Sequence, residues 1–590
     1  MAHLSQVWQR LRTYVACWLE PNQNPIDKVT SALIKNESNL TRAVPTMNMG
    51  VKTQEENLEL PENNLHELVV AENLYQNLLK FAKPDNLTWL VGDRDFDAEI
   101  YNLLGEGAFK PEIVFSIMGK LVTSNEFGLI PIFELLENFY HRWCQGEFID
   151  APPSSNLPQQ KMLEMHSKNL QIGIRQVDIY TGLNVMILLL ELHRYAQQQS
   201  EFKQKIIFYP SGQPDTENFF TSQLLRAINY SDAIQIGNFS TIVGEFLKGG
   251  NFTGAYLGSA NLTGANFSNA NLTGAYFGDA NLTGANFSNA NLGAANLGDA
   301  NLSGANLNAA NLRRTDLSCA TLSGANLADA DLGSANLSNA DLSSSNLDSA
   351  DLTGANLTGA SLRNANLKNA NLKHVILFSA NLSDANLSNT DLTGADLCRA
   401  DVSGVDLSHA ILEGTNLSDT ILFSANLNNA ILHAADLSYA KLNGAKLHGA
   451  NLQGAILLGA DLNGVDLSNV ILNEADLSGV TLSEADLSYA NLRDAILLGT
   501  DLSYANLNSA NLSGSNLTGA NLGGADLSGT DLSYAILGGV DLSEANLDAI
   551  AWNESQTWSG VRGLETALNI PAALKEKLGL GGREGVGSGE

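Results

Sequence analysis

The chain has 590 residues, with 33 Lys+Arg against 63 Asp+Glu and a formal net charge of -30. Charged residues make up 16% and apolar residues 44%, which excludes wholesale disorder, and the acidic balance excludes a protein that neutralises nucleic-acid phosphates with clustered Lys and Arg. The four cysteines, Cys17, Cys144, Cys319 and Cys398, are too few and too scattered for a disulfide scaffold or a zinc ribbon.

The first predicted element is a short amphipathic helix over residues 1–20. Its apolar residues recur at helical spacing, and Arg10 and Arg12 interrupt the apolar segment that a signal peptide would need. Tryptophan and arginine on one short helix would also suit a membrane surface, but we favour a helix that packs against protein. The longest apolar run, from Val185 to Leu190, is far shorter than the roughly 20 residues of a membrane-spanning helix. We therefore expect a soluble, cytoplasmic protein.

Two segments are predicted as linkers because they are polar and rich in proline, asparagine or serine: residues 21–60 and 151–160. They delimit a helical unit over residues 61–150 and an α/β unit over residues 161–241. Within the helical unit, apolar residues recur at helical spacing in four segments: 64–82, 95–104, 111–122 and 130–145.

The α/β unit is predicted to contain a helix over residues 180–199, a strand over residues 206–210 and a helix over about 216–229. The N-terminal region has no P-loop, no glycine pattern for a dinucleotide and no nucleophile elbow. Its alternating carboxylates lack the glycine of a calcium loop and are interpreted as an acidic cluster at a helix N-terminus: Asp93, Asp95, Asp97 and Glu99. We therefore predict no catalytic site, no cofactor site and no metal site.

Residues 251–550 run in 60 consecutive blocks of five without an insertion or deletion. The second residue of each block, called the centre, is Leu in 55 blocks, Phe in four and Val in one, and the last residue is Ala in 45. Neither a helix nor a plain strand has a period of five. A solenoid does, if the centre and the last residue point inward and a corner with positive φ closes each block.

The blocks ADLTG (residues 350–354) and ANLTG (residues 355–359) resemble the A(D/N)LXX signature of the pentapeptide-repeat family. The resemblance implies a right-handed quadrilateral parallel β-helix over residues 242–550, with four blocks per coil. Residues 174–195 also resemble a segment that precedes pentapeptide arrays in cyanobacterial proteins, which implies a source but no activity. The predicted fold class is mainly β, with a mainly α N-terminal region and a short helical C-terminal cap.

The open end of a solenoid exposes apolar core, so a cap is expected after the last block. Residues 551–580 are predicted to form it, with Trp552 and Trp558 covering the last coil and a short helix that begins at Pro571. Residues 581–590 are rich in glycine and are predicted to be disordered.

One outward position of the repeat suggests a contact surface. Isoleucine replaces the usual Asn or Asp before the centre in eight blocks, and at 20 residues per coil four of these isoleucines share a face. The alternative is that surface isoleucine is merely tolerated for its β-propensity. Ile411, Ile431 and Ile471 fall on the adjacent face. The candidate face consists of Tyr256, Tyr276, Ile376, Phe378, Ile456, Leu458, Ile496, Leu498 and Ile536.

The sequence favours a non-catalytic interaction or scaffold protein that binds an unidentified protein partner or a second copy of itself. The first alternative is a DNA-mimic regulator of an enzyme such as gyrase, because the repeat carries 29 Asp+Glu against 9 Lys+Arg and the resemblance extends to acidic quinolone-resistance members of the family. An enzyme that uses the N-terminal unit is disfavoured because no site assembles. Neither a cofactor nor direct nucleic-acid binding is expected.

Overall fold

The computed structural model describes residues 62–82, 94–123, 128–213 and 221–580. The chain folds into two compact units: the first comprises residues 1–213 and 229–246, and the second comprises residues 214–228 and 247–590. The predicted helix over residues 1–20, the linker over 21–60 and the tail over 581–590 lie outside the described residues.

The N-terminal region is helical, and the four helices predicted between residues 64 and 145 are confirmed. A further long helix begins earlier than predicted, at Ile174. None of the helices that the structure describes is long and apolar enough to cross a bilayer. In chain order the helices are α1 Glu62–Phe81, α2 Arg94–Leu104, α3 Pro111–Thr123, α4 Leu129–Cys144, α5 Leu157–Ser167, α6 Ile174–Gln197, α7 Gln223–Asp232 and α8 Asn238–Val243, after which Gly244–Leu247 form one 3₁₀ turn.

Helix α6 is the centre of the first unit. It packs against α2, α3, α4, α5 and α8, and its side chains from Val177 to Ala196 are almost all buried. Gly182 permits this packing, because a Cβ atom built there would lie 2.0 Å from the Trp143 ring of α4. A long helix that is buried on nearly every side has no solvent-facing polar stripe, and such a helix is typical of the middle of a helical domain.

Two predictions for this unit are wrong. Residues 206–210 form no strand, although Ile206 and Phe208 are fully buried. Their apolar character reflects burial under α6, where the Phe208 N–H donates to His193 Nδ1 at 3.3 Å. The predicted linker over residues 151–160 contains the start of α5, and the Asn156 side chain caps it by accepting from the Gln159 N–H at 2.8 Å.

In the second unit, each block pairs with the block 20 residues further along. The first residue of a block forms a parallel bridge with the first residue four blocks later, as in Tyr256 with Tyr276 and Ile456 with Asp476. One coil therefore contains 20 residues, and four ladders of position-one residues run along it. The ladder that begins at Tyr256 carries the candidate face, and the ladder that begins at Asn251 is the adjacent face. Each bridge is isolated, so the described part of the repeat contains no continuous strand.

The inward direction of the centre and of the last residue is confirmed. Leu437 and Ala435 are fully buried, as are their counterparts along the repeat, and Phe267 stacks on Phe287 with ring centroids 5.3 Å apart. Where threonine replaces the small residue, its hydroxyl finds a backbone acceptor: Thr315 Oγ1 donates to the Leu292 carbonyl at 2.8 Å. The polar atom is therefore satisfied inside an otherwise apolar core.

Each block ends in a tight turn. The N–H of the last residue donates to the carbonyl of the centre, at 3.0 Å between Ala255 and Phe252. The fourth residue has a positive φ in all 60 blocks, as a type II turn requires, and this holds for Tyr534 (φ 63°) as well as for Gly254 (φ 64°). Glycine is common at this corner but is not obligatory.

After residue 550 the chain leaves the five-residue register but continues to cover the last coil. Arg562 bridges to Asp541, and the short helix α9, Ala572–Leu578, follows Pro571 as predicted. Trp558 and Leu574 are buried, while Trp552 is half-buried beneath the Lys577 ammonium, 4.9 Å from the ring centroid.

Candidate interaction surface

The backbone of a block leaves one N–H group for a side chain to satisfy. In the block of residues 476–480, the N–H groups of positions one, two, four and five donate to backbone carbonyls at 2.7 to 3.2 Å. The remaining N–H, that of Ser478 at position three, donates to Asp476 Oδ1 at 3.0 Å. Position one therefore supplies the acceptor that completes the hydrogen bonding of its own corner.

This requirement explains why Asn and Asp alternate at position one. The Asn416 side chain accepts from the Ser418 N–H at 3.1 Å and donates its amide to Asp396 Oδ1, one coil earlier, at 2.9 Å. In the last coil, the Ser543 hydroxyl and then the Ser543 N–H hold the pKa of Asp541 below its usual range. Position one is thus more than a polar outward position, and the Ser or Thr that often stands two residues later was the sequence signal for it.

An isoleucine at position one removes this acceptor. Among the described residues, the N–H groups of Leu458, Leu498 and Gly538, which follow Ile456, Ile496 and Ile536, have no protein acceptor. A backbone N–H that exchanges a protein acceptor for water forfeits on the order of 1 kcal/mol. Isoleucine is therefore a costly replacement at these positions rather than a neutral one.

The structure places all nine predicted residues on one side of the repeat but separates them into three groups. Four coils with Asn or Asp at position one separate Tyr276 from Ile376, and the three coils of Asp396, Asn416 and Asp436 separate Ile376 from Ile456. The surface predicted from the sequence is consequently three patches rather than one stripe.

The two patches nearer the N-terminus, Tyr256 with Tyr276 and Ile376 with Phe378, are smaller than the third. Tyr256 and Tyr276 stack face to face, with centroids 4.7 Å apart, and the Tyr256 N–H is already bonded to the Thr221 carbonyl at 2.9 Å. Farther along, the Arg399 guanidinium lies 5.9 Å from the centroid of the Phe378 ring. These side chains partly satisfy one another, which leaves less apolar surface for a partner.

The C-terminal patch is open and regular. Ile456, Ile496 and Ile536 are 44%, 39% and 53% exposed and occupy every second coil, while Asp476 and Asn516 occupy the coils between them. Leu458 and Leu498 extend the first two isoleucines into apolar ridges, each 39–40% exposed.

Tyr439 belongs to the same patch and escaped the sequence analysis. It occupies the corner position one coil before Gly459 and is 58% exposed, and its N–H donates to the Leu458 carbonyl at 2.9 Å. A search of every outward position at 20-residue spacing, rather than of the positions before and after the centre alone, would have found it.

The adjacent face has a different pattern. Ile411 and Ile431 bridge each other in consecutive coils, and Ile471 follows two coils later. The two faces therefore contain the same residue type in different axial arrangements, which makes the adjacent face a suitable control.

A buried polar cluster in the first unit was not predicted. Asp178 of α6 accepts from the Tyr101 hydroxyl at 2.5 Å and from the Tyr230 hydroxyl at 3.0 Å, and its own backbone carbonyl accepts from Trp143 Nε1 at 3.1 Å. Burial raises the pKa of Asp178 to about 6, and the same cause lowers the pKa of His193 to about 4. Both side chains bond to residues of other segments and thereby join them to α6.

Potential metal ligands are scattered over the described part of the chain, and its repeat contains two cysteines. No group of three or more His, Cys, Asp or Glu side chains there could hold a metal ion. Cys319 and Cys398 are free thiols, exposed and half-buried, as expected for variable positions of the block.

Comparison with known proteins identifies the repeat. The profile of the family Pentapeptide repeats matches overlapping segments between residues 251 and 548. Among solved structures, HetL, a pentapeptide repeat protein involved in heterocyst differentiation regulation from the cyanobacterium Nostoc, is 32% identical over 40% of this chain and 89% of its own, with a TM-score of 0.23. A second pentapeptide repeat protein from Nostoc is 37% identical over 17% of this chain and 82% of its own, with a TM-score of 0.15. QnrB1, a plasmid-mediated fluoroquinolone resistance protein, is 21% identical over 39% of this chain and 97% of its own, with a TM-score of 0.18. No curated protein matches the chain.

Proposed function

Because the chain belongs to the pentapeptide-repeat family, we propose that it is a non-catalytic protein that binds another protein through the C-terminal patch of its candidate face. The observation that carries this proposal is the isoleucine at position one in every second coil from Ile456 to Ile536, where it forfeits a hydrogen bond of its own corner. A destabilising exposed apolar residue that recurs at a fixed interval favours a contact surface over chance variation. The right-handed, four-sided cross-section implied by the family resemblance is part of the same proposal.

The helical first unit would then supply specificity rather than catalysis. The buried carboxyl of Asp178 is bonded to Tyr101 and Tyr230, and the imidazole of His193 accepts from the Phe208 N–H. Groups committed in this way hold helices together, and this supports a structural role for the cluster.

The test compares full-length variants. Ile456→Asp with Ile496→Asp should abolish cross-linking of the protein to its partner in a cyanobacterial extract, because two carboxylates on the ridges oppose desolvation. Ile411→Asp with Ile431→Asp, on the adjacent face, is the matched control and should leave the cross-linked partner in place. Size-exclusion chromatography of both variants distinguishes a second copy from a different protein. Unchanged cross-linking and unchanged size in the first variant would remove the candidate face from consideration.

The second candidate function is a DNA mimic, and the acidic repeat favours it. Its 29 Asp+Glu against 9 Lys+Arg include ladder neighbours of like charge, such as Asp331 with Asp351 and Asp466 with Asp486. A gyrase supercoiling assay with increasing amounts of the protein is the direct test. A change in supercoiling that disappears at high salt would support mimicry, since exposed charges are screened.

A further inference from the structure

The C-terminal patch has an axial period that constrains what can lie on it. Consecutive coils of a β-solenoid are about 4.8 Å apart, so Ile456, Ile496 and Ile536, which occupy every second coil, repeat at about 9.6 Å. The ridges formed by Leu458 and Leu498 have the same period.

In the described repeat, backbone N–H groups that lack an acceptor recur at the same interval of two coils. In the intervening coils, the side chains of Asp476 and Asn516 reach the N–H of position three from the outer surface, at 3.0 and 3.1 Å. In the isoleucine coils the equivalent N–H groups of Leu458, Leu498 and Gly538 have no acceptor among the described residues. An outer ligand with carbonyl oxygens about 9.6 Å apart could satisfy all three.

Most of the corner beside these donors is free of side chains, and the exception is Gly459, where the Tyr439 ring would lie 2.8 Å from a Cβ atom. The fourth position of the candidate face is glycine in five successive coils: Gly459, Gly479, Gly499, Gly519 and Gly539. A Cβ atom at the middle three of these would meet nothing within 4 Å, so the space beside the ridges is open. A partner backbone can therefore approach the donors from this edge.

The charge of the patch favours a basic partner over a second copy. Positions one, three and four of the candidate face between residues 436 and 539 are all described, and they include Asp436 and Asp476 but no Lys or Arg. A cation reaches them at the C-terminal end, where Arg562 Nη2 donates to the Gly539 carbonyl at 3.5 Å, 63 residues after Asp476 in the chain. Two such patches facing each other would oppose carboxylates with carboxylates, which is unfavourable. A Lys or Arg of a different protein would instead pair with Asp476 between the ridges.

Among regular peptide conformations, polyproline II fits these three features together. It advances about 9.3 Å per three-residue turn, has no internal hydrogen bonds and presents one free carbonyl per turn to each side. An α-helix advances about 10.5 Å per heptad and uses its carbonyls internally, and an extended strand repeats its side-chain direction about every 6.6 Å. Only the polyproline II segment offers both the interval and the acceptors.

We propose that the C-terminal patch binds a partner segment in the polyproline II conformation that carries an apolar residue at every third position and a basic residue for Asp476. Its carbonyl oxygens accept from the N–H groups of Leu458, Leu498 and Gly538, and its apolar side chains pack against the Ile–Leu ridges. This inference rests on the proposed function, because it names the chemistry of the partner that the same face would bind.

The experiment uses the full chain and a fluorescein-labelled peptide of Leu-Pro-Pro triplets with an arginine at each end, followed by fluorescence anisotropy. Ile456→Asn with Ile496→Asn returns two blocks to the usual residue. The Asn side chains should accept from the N–H groups of Leu458 and Leu498, and each ridge loses its isoleucine while the repeat keeps its normal pattern. We expect binding to weaken at least about tenfold. Ile411→Asn with Ile431→Asn on the adjacent face should leave the affinity unchanged.

Two comparison peptides make the outcome decisive. A peptide of the same composition with its leucines grouped at one end should bind about tenfold more weakly than the ordered one, because only one ridge can then be occupied. Equal binding of the two peptides, undiminished binding by the double Asn variant, or tighter binding of an amphipathic helix with leucine at heptad spacing would overturn the proposal. Cross-linking to a cellular partner that persists while the triplet peptide fails to bind would separate failure of this inference from failure of the proposed function.

Discussion

At the scale of single residues, the most informative position is the first of each block. By composition, Asn and Asp at this position look like interchangeable polar residues. They differ in the hydrogen bonds that they make to the neighbouring coils. Asp396 is an acceptor only, and Asn416 donates to it while accepting from Ser418. The order of amides and carboxylates along one ladder therefore affects stability, even though every member satisfies its own corner.

Replacing Asn416 with Asp should test this order. The substitution removes the amide that donates to Asp396 and places carboxylates in three successive coils, with Asp396 before and Asp436 after it, so the free energy of unfolding should fall by about 1–2 kcal/mol at neutral pH. Asn306→Asp is the matched control, since its ladder neighbours Asn286 and Asn326 are neutral. Urea unfolding of both variants at neutral pH measures the difference. Equal losses in the two variants at neutral pH would show that the ladder is insensitive to charge order.

At the scale of the structural element, the stability of the repeat depends on the 20-residue coil rather than on a strand. One bridge per block holds neighbouring coils together, while the buried centres and small residues fill the interior. Stability therefore depends on the inward set of side chains, and the outward set can vary.

A pair of substitutions to Asp should separate the two sets. Leu437→Asp places an unpaired charge at a fully buried centre and should lower the free energy of unfolding by about 3–5 kcal/mol or more. Leu458→Asp, at an exposed position 21 residues later in the chain, should change it by no more than about 0.5 kcal/mol. Thermal unfolding followed by circular dichroism measures both. A Leu437→Asp protein as stable as its parent would contradict the inward assignment.

The sequence predicts elements well where a periodic pattern extends over many residues, and poorly where a short apolar run stands alone. Sixty blocks identify the inward residues of the repeat individually, and four helices of the first unit follow from their apolar spacing. The run from Ile206 to Pro210 looked like a strand because burial and β-pairing select the same residue types, yet no neighbouring strand exists among the described residues. Similarly, the proline and serine residues near 151–160 suggested a linker, but Asn156 and Pro158 begin α5.

The candidate face was only partly predictable. Its isoleucines follow from 20-residue spacing. The free N–H groups beside them do not, because they arise from the loss of a hydrogen bond to the Asn or Asp side chain at position one, which the spacing does not reveal. Tyr439 lies at a corner where residues as different as Ser, Arg and Glu also adopt the positive φ, so composition offers little contrast there. The Asp178 cluster joins residues 35 to 77 positions apart in the chain, and no local pattern anticipates it.

At the scale of the whole molecule, two carboxyl groups, one in each unit, make stability depend on pH in opposite directions. In the repeat, hydrogen bonds from Ser543 lower the pKa of Asp541, so its contribution is present above the unfolded pKa and is lost as the pH falls. In the first unit, burial raises the pKa of Asp178 to about 6, so its folded state retains a proton that the unfolded chain releases. That contribution is full below about pH 4 and is lost as the pH rises through about 6.

Asp178→Asn should reveal this dependence. Between pH 4 and 7 the wild-type helical unit should lose roughly 3 kcal/mol more stability than the variant, which follows from the two-unit difference in pKa. His193 and other titrating groups are common to both proteins, so they cancel in the comparison. Tyr101→Phe should steepen the loss, because it removes a hydrogen bond that lowers the pKa of Asp178. Urea titrations followed by helical circular dichroism test both, and parallel pH profiles for wild type and Asp178→Asn would contradict the assignment.

The bridges between residues 20 apart also determine how such a gene can change in length. Loss or duplication of one full coil returns every later residue to its own ladder, so the faces remain aligned and only the reach of the protein changes. Loss of a single block keeps every leucine inside but moves all later residues to the neighbouring ladder, which would place Ile536 on a different side from Ile456. Selection on the core alone therefore permits steps of five residues, whereas selection on a surface that spans several coils permits only steps of 20.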